Sequence, residues 1–254
     1  MRGQRPCCCV PRRAYNGCMN RFALRALSHN PLAQGLEDLI FPPHCAVCGE
    51  LGAWLCDACG AAVLALGAAM PSRGPTLPGI AAAASIAPHV GPARRVVHQL
   101  KYGGMRVLAA PLAALMLAAH PEVLAQADAI VPVPLHANRV RRRGYNQAVL
   151  LAHALGEGAH LPVAPDALER TRDTRSQVGL TRAERHANVG DAFVARDGAP
   201  GSCVLLVDDV CTTGATLCAC AVALRKAGAT RILALTIARA IDTEVNGAAP
   251  WPEP

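Results

Sequence analysis

The chain has 254 residues, of which 52 % are hydrophobic and only 3 % aromatic, and it carries a formal net charge of +7. That length suits one α/β domain with a small appended module. A core of Ala, Val, Leu and Ile fits helices packed on a parallel sheet and argues against an aromatic-rich β-sandwich. The longest apolar runs, 61–70 and 109–119, fall short of the roughly 20 residues of a membrane-spanning helix. The basic start is not followed by an apolar stretch with a small-residue cleavage site, so a cytoplasmic protein is expected.

Residues 1–20 read as a disordered leader holding Cys7, Cys8, Cys9 and Cys18, with Met19 as an alternative start. Leu24, Leu27, Leu32, Leu36, Leu39 and Ile40 then recur at helical spacing. Phe41-Pro42-Pro43 ends that helix. Together with the cysteines that follow it forms an N-terminal unit over 21–66, joined by a Gly/Pro-rich linker at 67–79 to a domain over 80–240. In that domain strand and helix signals alternate. Strands are expected at 80–88, 129–134, 163–169, 203–207 and 231–237, and helices at 92–101, 107–119, 145–155 and 215–227. A polar stretch fills 171–193, and 241–254 reads as a flexible tail. The alternation predicts a mostly parallel sheet with flanking helices.

Cys45-x-x-Cys48 and Cys56-x-x-Cys59 are separated by seven residues. Each CxxC turn presents two thiolates to one ion, and two turns complete a tetrahedral Zn²⁺ site. A segment this small buries little core of its own, so metal would supply its stability. Two disulfides or a redox pair are the alternatives, the former disfavoured by the expected compartment. Four thiolates close the coordination shell, which makes the ion structural. Cys203, Cys211, Cys218 and Cys220 read as small apolar residues.

The most informative stretch is Val204-Leu-Leu-Val-Asp208-Asp209-Val-Cys-Thr212-Thr213-Gly214-Ala215-Thr216. An apolar strand runs into two acids, then a Thr/Gly turn, then a helix. Ligands of open α/β sheets sit at the carboxyl ends of strands, and a helix N-terminus offers unpaired amides and partial positive charge to a phosphate. Two acids would repel a phosphate placed on them, but they accept hydrogen bonds from neighbouring sugar hydroxyls. The chemistry implied is a 5-phosphorylated ribose. Walker A and GxGxxG patterns are absent. Elsewhere, Arg139, Arg141, Arg142 and Arg143 form a basic cluster suited to phosphate, nucleic acid or anionic lipid, or to a solvated turn.

The string 204–216 resembles the phosphoribosyl-pyrophosphate (PRPP) motif of type I phosphoribosyltransferases. The resemblance implies that Asp208 and Asp209 bind ribose hydroxyls and act in catalysis, and that Thr212, Thr213, Gly214, Ala215 and Thr216 hold the 5-phosphate. A narrower likeness rests on the four cysteines, Lys101-Tyr102-Gly103, Val131-Pro-Val-Pro-Leu-His136, Arg143-Gly144-Tyr145-Asn146-Gln147, Arg172-x-Thr174-x-x-Gln177 and Arg185-x-x-Asn188. In combination these resemble the ComF family of competence-related, phosphoribosyltransferase-like proteins over about residues 36–239. The resemblance implies a pyrophosphate loop at 132–139, with Arg139, Arg143 and Lys101 as cationic partners and Mg²⁺ bridging pyrophosphate and ribose oxygens. Residues 171–193 would form a hood over the acceptor, with Gln177, Arg185 and Asn188 able to read it. Three functions follow as alternatives: a PRPP-dependent transferase of nucleotide metabolism or DNA uptake, a PRPP-sensing accessory protein that binds single-stranded DNA beside the competence machinery, and a zinc-dependent adaptor whose transferase fold is vestigial.

Overall fold

The computed structural model describes residues 42–70, 76–172, 192–196 and 198–240. Its centre is a parallel sheet of, among the described residues, four strands: β1 (Ala82–Pro88), β2 (Ala129–Pro132), β5 (Cys203–Cys211) and β6 (Arg231–Arg239), in the order β1-β6-β5-β2. A second, antiparallel pair joins β3 (Leu168–Arg170) to β4 (Phe193–Ala195). The helices are α1 (Asp57–Ala68), α2 (Gly91–Tyr102), α3 (Ala109–Ala119), α4 (Pro121–Leu124), α5 (Ala137–Arg143), α6 (Gln147–Ala159) and α7 (Ala215–Lys226).

Alternation along the strands sorts the core into two layers. On one face Ile130, Leu205, Val207, Leu233 and Leu235 pack with Leu100 of α2, Leu112 and Met116 of α3, Leu151 and Leu155 of α6, and Val63 of α1. On the other, Val131, Val204, Leu206 and Ile232 meet α7 through Leu217, Cys220 and Leu224, and the β3–β4 pair through Leu168 and Phe193. Burial of such side chains is worth about 1.5–3 kcal/mol each. Both faces are covered, which is why β5 and β6 read as near-continuous apolar runs. Cys211, Cys218 and Cys220 are buried in the second layer and pack as apolar groups.

Several bounds differ from the sequence expectation for identifiable reasons. β5 continues through both acids to Cys211, because β6 keeps pairing with it as far as Arg239. β2 stops at Pro132, where the chain gains two prolines in three residues. The expected strand at 163–169 divides into a single bridge from Val163 to Ile130 and the three-residue β3. The expected leader, the helix ending at Ile40, the hood residues Gln177, Arg185 and Asn188, and the tail lie outside the described residues. Among the described helices none is long and apolar enough to cross a membrane.

Candidate functional site

β5 delivers Asp208 and Asp209 to the carboxyl edge of the sheet while still hydrogen-bonded in the ladder, Asp208 standing beside Thr236. Asp209 is 2 % exposed. Its Oδ2 makes no well-formed hydrogen bond, and its partner is ionic: Lys101 Nζ lies 3.0 Å away. Lys101 belongs to the last turn of α2, a place that favours cations, and Gly103 caps that helix. The ion pair therefore ties the end of α2 to the end of β5. Asp208 accepts a hydrogen bond from the Asp209 backbone N–H at 2.8 Å.

Burial pushes the Asp208 carboxyl up to about 8, and the adjacent Asp209 charge adds to the shift while Lys101 opposes it. The folded pKa lies above the unfolded one, so the native state holds more protons and stability falls as pH rises from about 4 to 8. Asp208→Asn, which keeps the acceptor oxygen, should stabilise the protein by about 0.5–2 kcal/mol at pH 8. It should also flatten the pH dependence of urea-unfolding midpoints across that window. A parallel profile in the variant would contradict the assignment.

Beyond β5 the chain turns through Thr212, Thr213 and Gly214 into α7. Gly214 caps α7 with φ of 76°, a left-handed conformation, and a Cβ there would fall 2.3 Å from Leu77 Cδ2. Glycine thus serves both the turn and the close seat of Leu77. The Ala215 N–H donates to Thr213 Oγ1 at 3.4 Å. Thr212, Gly214, Ala215 and Thr216 line one cavity of about 480 Å³. Thr213 is not part of its wall.

The opposite wall comes from the segment after β2. His136 caps α5, its Nδ1 accepting from the Asn138 N–H at 3.3 Å, and does not line the cavity. Gly144 ends α5 at φ 81°, and Asn146 caps α6 while its Nδ2 donates to Val133 O at 3.0 Å. These caps fix the direction of α5, so that Arg139 and Arg143 line the cavity while Arg141 and Arg142 are exposed. Arg143 lies over the Tyr102 ring, 5.1 Å from its centroid, and donates to Gln147 Oε1.

The cavity thus brings Asp208, Asp209, Lys101, Arg139 and Arg143 together with the turn into α7. It also contains residues to which the sequence reading assigns no part in the site. His89 follows β1 and is half-buried. Burial, then the charges of Lys101 and Arg94, lower its pKa, with Asp209 acting against them. Gln147 is buried at the start of α6. Arg170, 7 % exposed, reaches the cavity from β3. Nothing in Leu-Glu-Arg separates a buried guanidinium from a solvated one, so Arg170 could not be singled out.

A second cluster lies at the other end of the described chain. The Sγ atoms of Cys45, Cys48, Cys56 and Cys59 are all within 4.8 Å of one another, and those of Cys48 and Cys56 are 3.7 Å apart. A tetrahedron with Zn–S bonds of about 2.3 Å has S···S edges of about 3.8 Å. The donor set and its spacing therefore fit a metal ion such as zinc. Burial raises the Cys45 thiol, but backbone N–H groups of Cys48, Cys56 and Val47 outweigh it and bring the pKa down to about 6. The Cys56 N–H approaches Cys45 Sγ to 3.4 Å. Such hydrogen bonds favour the thiolate that binds metal.

The family model described as "Phosphoribosyl transferase domain" matches residues 140–251, a span that includes both acids and the turn into α7. "Competence protein F" of Haemophilus influenzae is 41 % identical over 116 residues, covering 44 % of this chain and 51 % of that protein. The chain thus spans about half the length of that relative. "DNA utilization protein YhgH" of Escherichia coli K12 is 33 % identical over 162 residues, covering 62 % of this chain and 71 % of that protein. Among solved structures, orotate phosphoribosyltransferase from Aeropyrum pernix is similar at a TM-score of 0.33 and 21 % identity, over 56 % of this chain and 63 % of that one. With a third of the residues shared across most of one relative, and a domain match that includes the carboxylate turn, the chain belongs to the ComF family of phosphoribosyltransferase-like proteins.

Proposed function

We propose that the cavity binds PRPP in a ComF-type protein that serves DNA uptake. One observation carries this reading: a carboxylate pair, a helix N-terminus and four cationic side chains converge on a single cavity at the carboxyl edge of the sheet. Asp208 and Asp209 accept hydrogen bonds from the ribose hydroxyls. Thr212, Gly214, Ala215 and Thr216 hold the 5-phosphate, and Thr213 braces the turn. Arg139, Arg143 and Lys101 neutralise the pyrophosphate, whose bond to the anomeric carbon breaks with the electron pair leaving on oxygen as an acceptor nucleophile bonds to that carbon. Two carboxylates are donors of the kind Mg²⁺ takes alongside phosphate oxygens, and the ion would supply further neutralisation when bound with PRPP. The four cysteines hold structural Zn²⁺. Thiolate-bound zinc and no expected disulfide suit a cytoplasmic protein.

Isothermal titration with PRPP and Mg²⁺ should give saturable binding, weakened at least about tenfold in Asp208→Asn/Asp209→Asn. A well-folded protein that releases no heat on adding PRPP would reject the reading. Assay of pyrophosphate release with candidate bases and amines separates turnover from sensing.

A second reading is favoured by the exposure of Arg141 and Arg142 on α5, next to the cavity. In it the protein senses PRPP and binds single-stranded DNA electrostatically. The names "Competence protein F" and "DNA utilization protein" are consistent with such a partner. A gel shift on poly-dT that Arg141→Glu/Arg142→Glu abolishes, with PRPP binding intact, supports it. The absence of any shift at low salt excludes it.

A further inference from the structure

Two of the cations assigned to pyrophosphate stand on separate segments. Lys101 lies in the last turn of α2, and Arg143 ends α5. Both line the cavity. Like charges separate unless something holds them, and long side chains keep a fixed spacing only where the segments that carry them are tied together.

Arg106 and Tyr145 supply such a tie. The Tyr145 hydroxyl donates to Leu100 O at 2.5 Å, one residue before Lys101. Leu100 is fully buried, and its carbonyl is among the last four of α2, which have no partner within the helix. Burial raises the Tyr145 phenol, against the charges of Arg143 and Arg106, so the hydroxyl stays protonated as the donor. Arg106 follows α2 and reaches back to the other segment. Its Nη2 donates to Gly144 O at 3.1 Å, one residue after Arg143. Its Cζ lies 4.6 Å from the centroid of the Tyr145 ring. Arg143 in turn lies over Tyr102, the residue after Lys101, at 5.1 Å. Contacts on both sides of Lys101 and of Arg143 therefore join residues 100–106 to residues 143–145.

Pyrophosphate carries charge on two phosphate groups, and two cations at a set separation can engage both. A ligand that meets cations already ordered loses less freedom on binding. From this arrangement we infer that Arg106 and Tyr145 form a clamp that sets the spacing of Lys101 and Arg143, making this end of the cavity selective for a diphosphate. Neither residue lines the cavity, so both are positioning residues. The inference deepens the PRPP reading and rests on it.

Titrations of the full chain with pyrophosphate and Mg²⁺, and separately with ribose 5-phosphate, test the clamp. Tyr145→Phe, which removes only the hydroxyl, and Arg106→Met should each weaken pyrophosphate about 3- to 10-fold and change ribose 5-phosphate less than about twofold. Arg106→Lys keeps the charge over the ring without the planar fork and should fall between Arg106→Met and wild type. The deciding measurement is a cycle with Arg143→Met. In that background Tyr145→Phe should change pyrophosphate affinity less than about twofold, because the pair to be spaced is gone. If Tyr145→Phe does not fold, Arg106→Met in the same cycle gives the test. Equal losses for both ligands, no loss for either, or effects that simply add to that of Arg143→Met overturn the clamp while leaving PRPP binding intact. A wild type that binds neither ligand removes the PRPP reading and this inference with it.

Discussion

Lys101→Met should destabilise the protein by about 3 kcal/mol, and adding Asp209→Asn should return most of that loss. The asymmetry comes from burial. The Asp209 side chain is 3 % exposed and Lys101 21 %, with 3.0 Å between Nζ and Oδ2. Removing the lysine leaves a carboxylate with no ionic partner in a site that already crowds it against Asp208. Breaking a buried pair from one side costs about 3–5 kcal/mol, and the partial exposure of Lys101 places this case at the low end. Asp209→Asn alone should cost less, because Lys101 still reaches water. For a domain of this size about 3 kcal/mol corresponds to a fall in Tm of about 6–12 °C. Scanning calorimetry of the two single variants and the double variant gives the coupling directly. A Lys101→Met protein within about 0.5 kcal/mol of wild type would mean that the pair is effectively solvated.

This pair also marks how far the sequence can be read. Asp208, Asp209 and the turn at 212–216 are legible because a strand, two acids and a glycine-bearing helix start form a long ordered string, whereas Lys101 enters only through the family resemblance. That Lys101 and Asp209 hold each other is not legible, since the two lie far apart in the chain and meet only through the register of α2 against the sheet. Polarity changes after Val207, which makes β5 look complete there. Its continuation depends on β6, which offers Ala238 and Arg239 as partners to Val210 and Cys211. The apolar runs of β5 and β6 are visible in the sequence, and the layers they separate follow from period-two geometry. Arg170 and Gln147 escape for a different reason. Each is a polar residue whose burial is decided by the packing around it: Arg170 lies over Phe193, and Gln147 lines the cavity at the start of α6. The cysteine spacing, by contrast, is local chemistry, and the sulfur cluster can be anticipated without any tertiary information.

Stripping metal from the four-cysteine cluster should release the loop that carries it and leave the cavity standing. Thiolate zinc sites contribute roughly 10 kcal/mol or more of apparent free energy at neutral pH, far beyond what the segment from Pro42 to Cys56 gains otherwise. Among the described residues its other anchors are few: Arg95 of α2 donates to Val47 O at 3.0 Å, and Ala46, Val47 and Leu55 pack at the edge of the core. The helix that follows is held differently. Val63 is fully buried among Ile86, Leu115 and their neighbours, and the Gly67 Cα faces Ile86 so closely that a Cβ would lie 1.9 Å from its carbonyl oxygen. α1 should therefore stay docked through its C-terminal half when its first turn, with Cys56 and Cys59, loses the ion. The as-purified protein should contain about one zinc per chain, as a single tetrahedral site requires. After chelation, hydrogen exchange should accelerate across residues 42–56 and change little in β5 and α7, and the affinity for PRPP should persist. Exchange that accelerates equally in β5 and α7 would show that the ion supports the whole fold. Unchanged exchange in 42–56 would show that the thiols need no metal to hold their places.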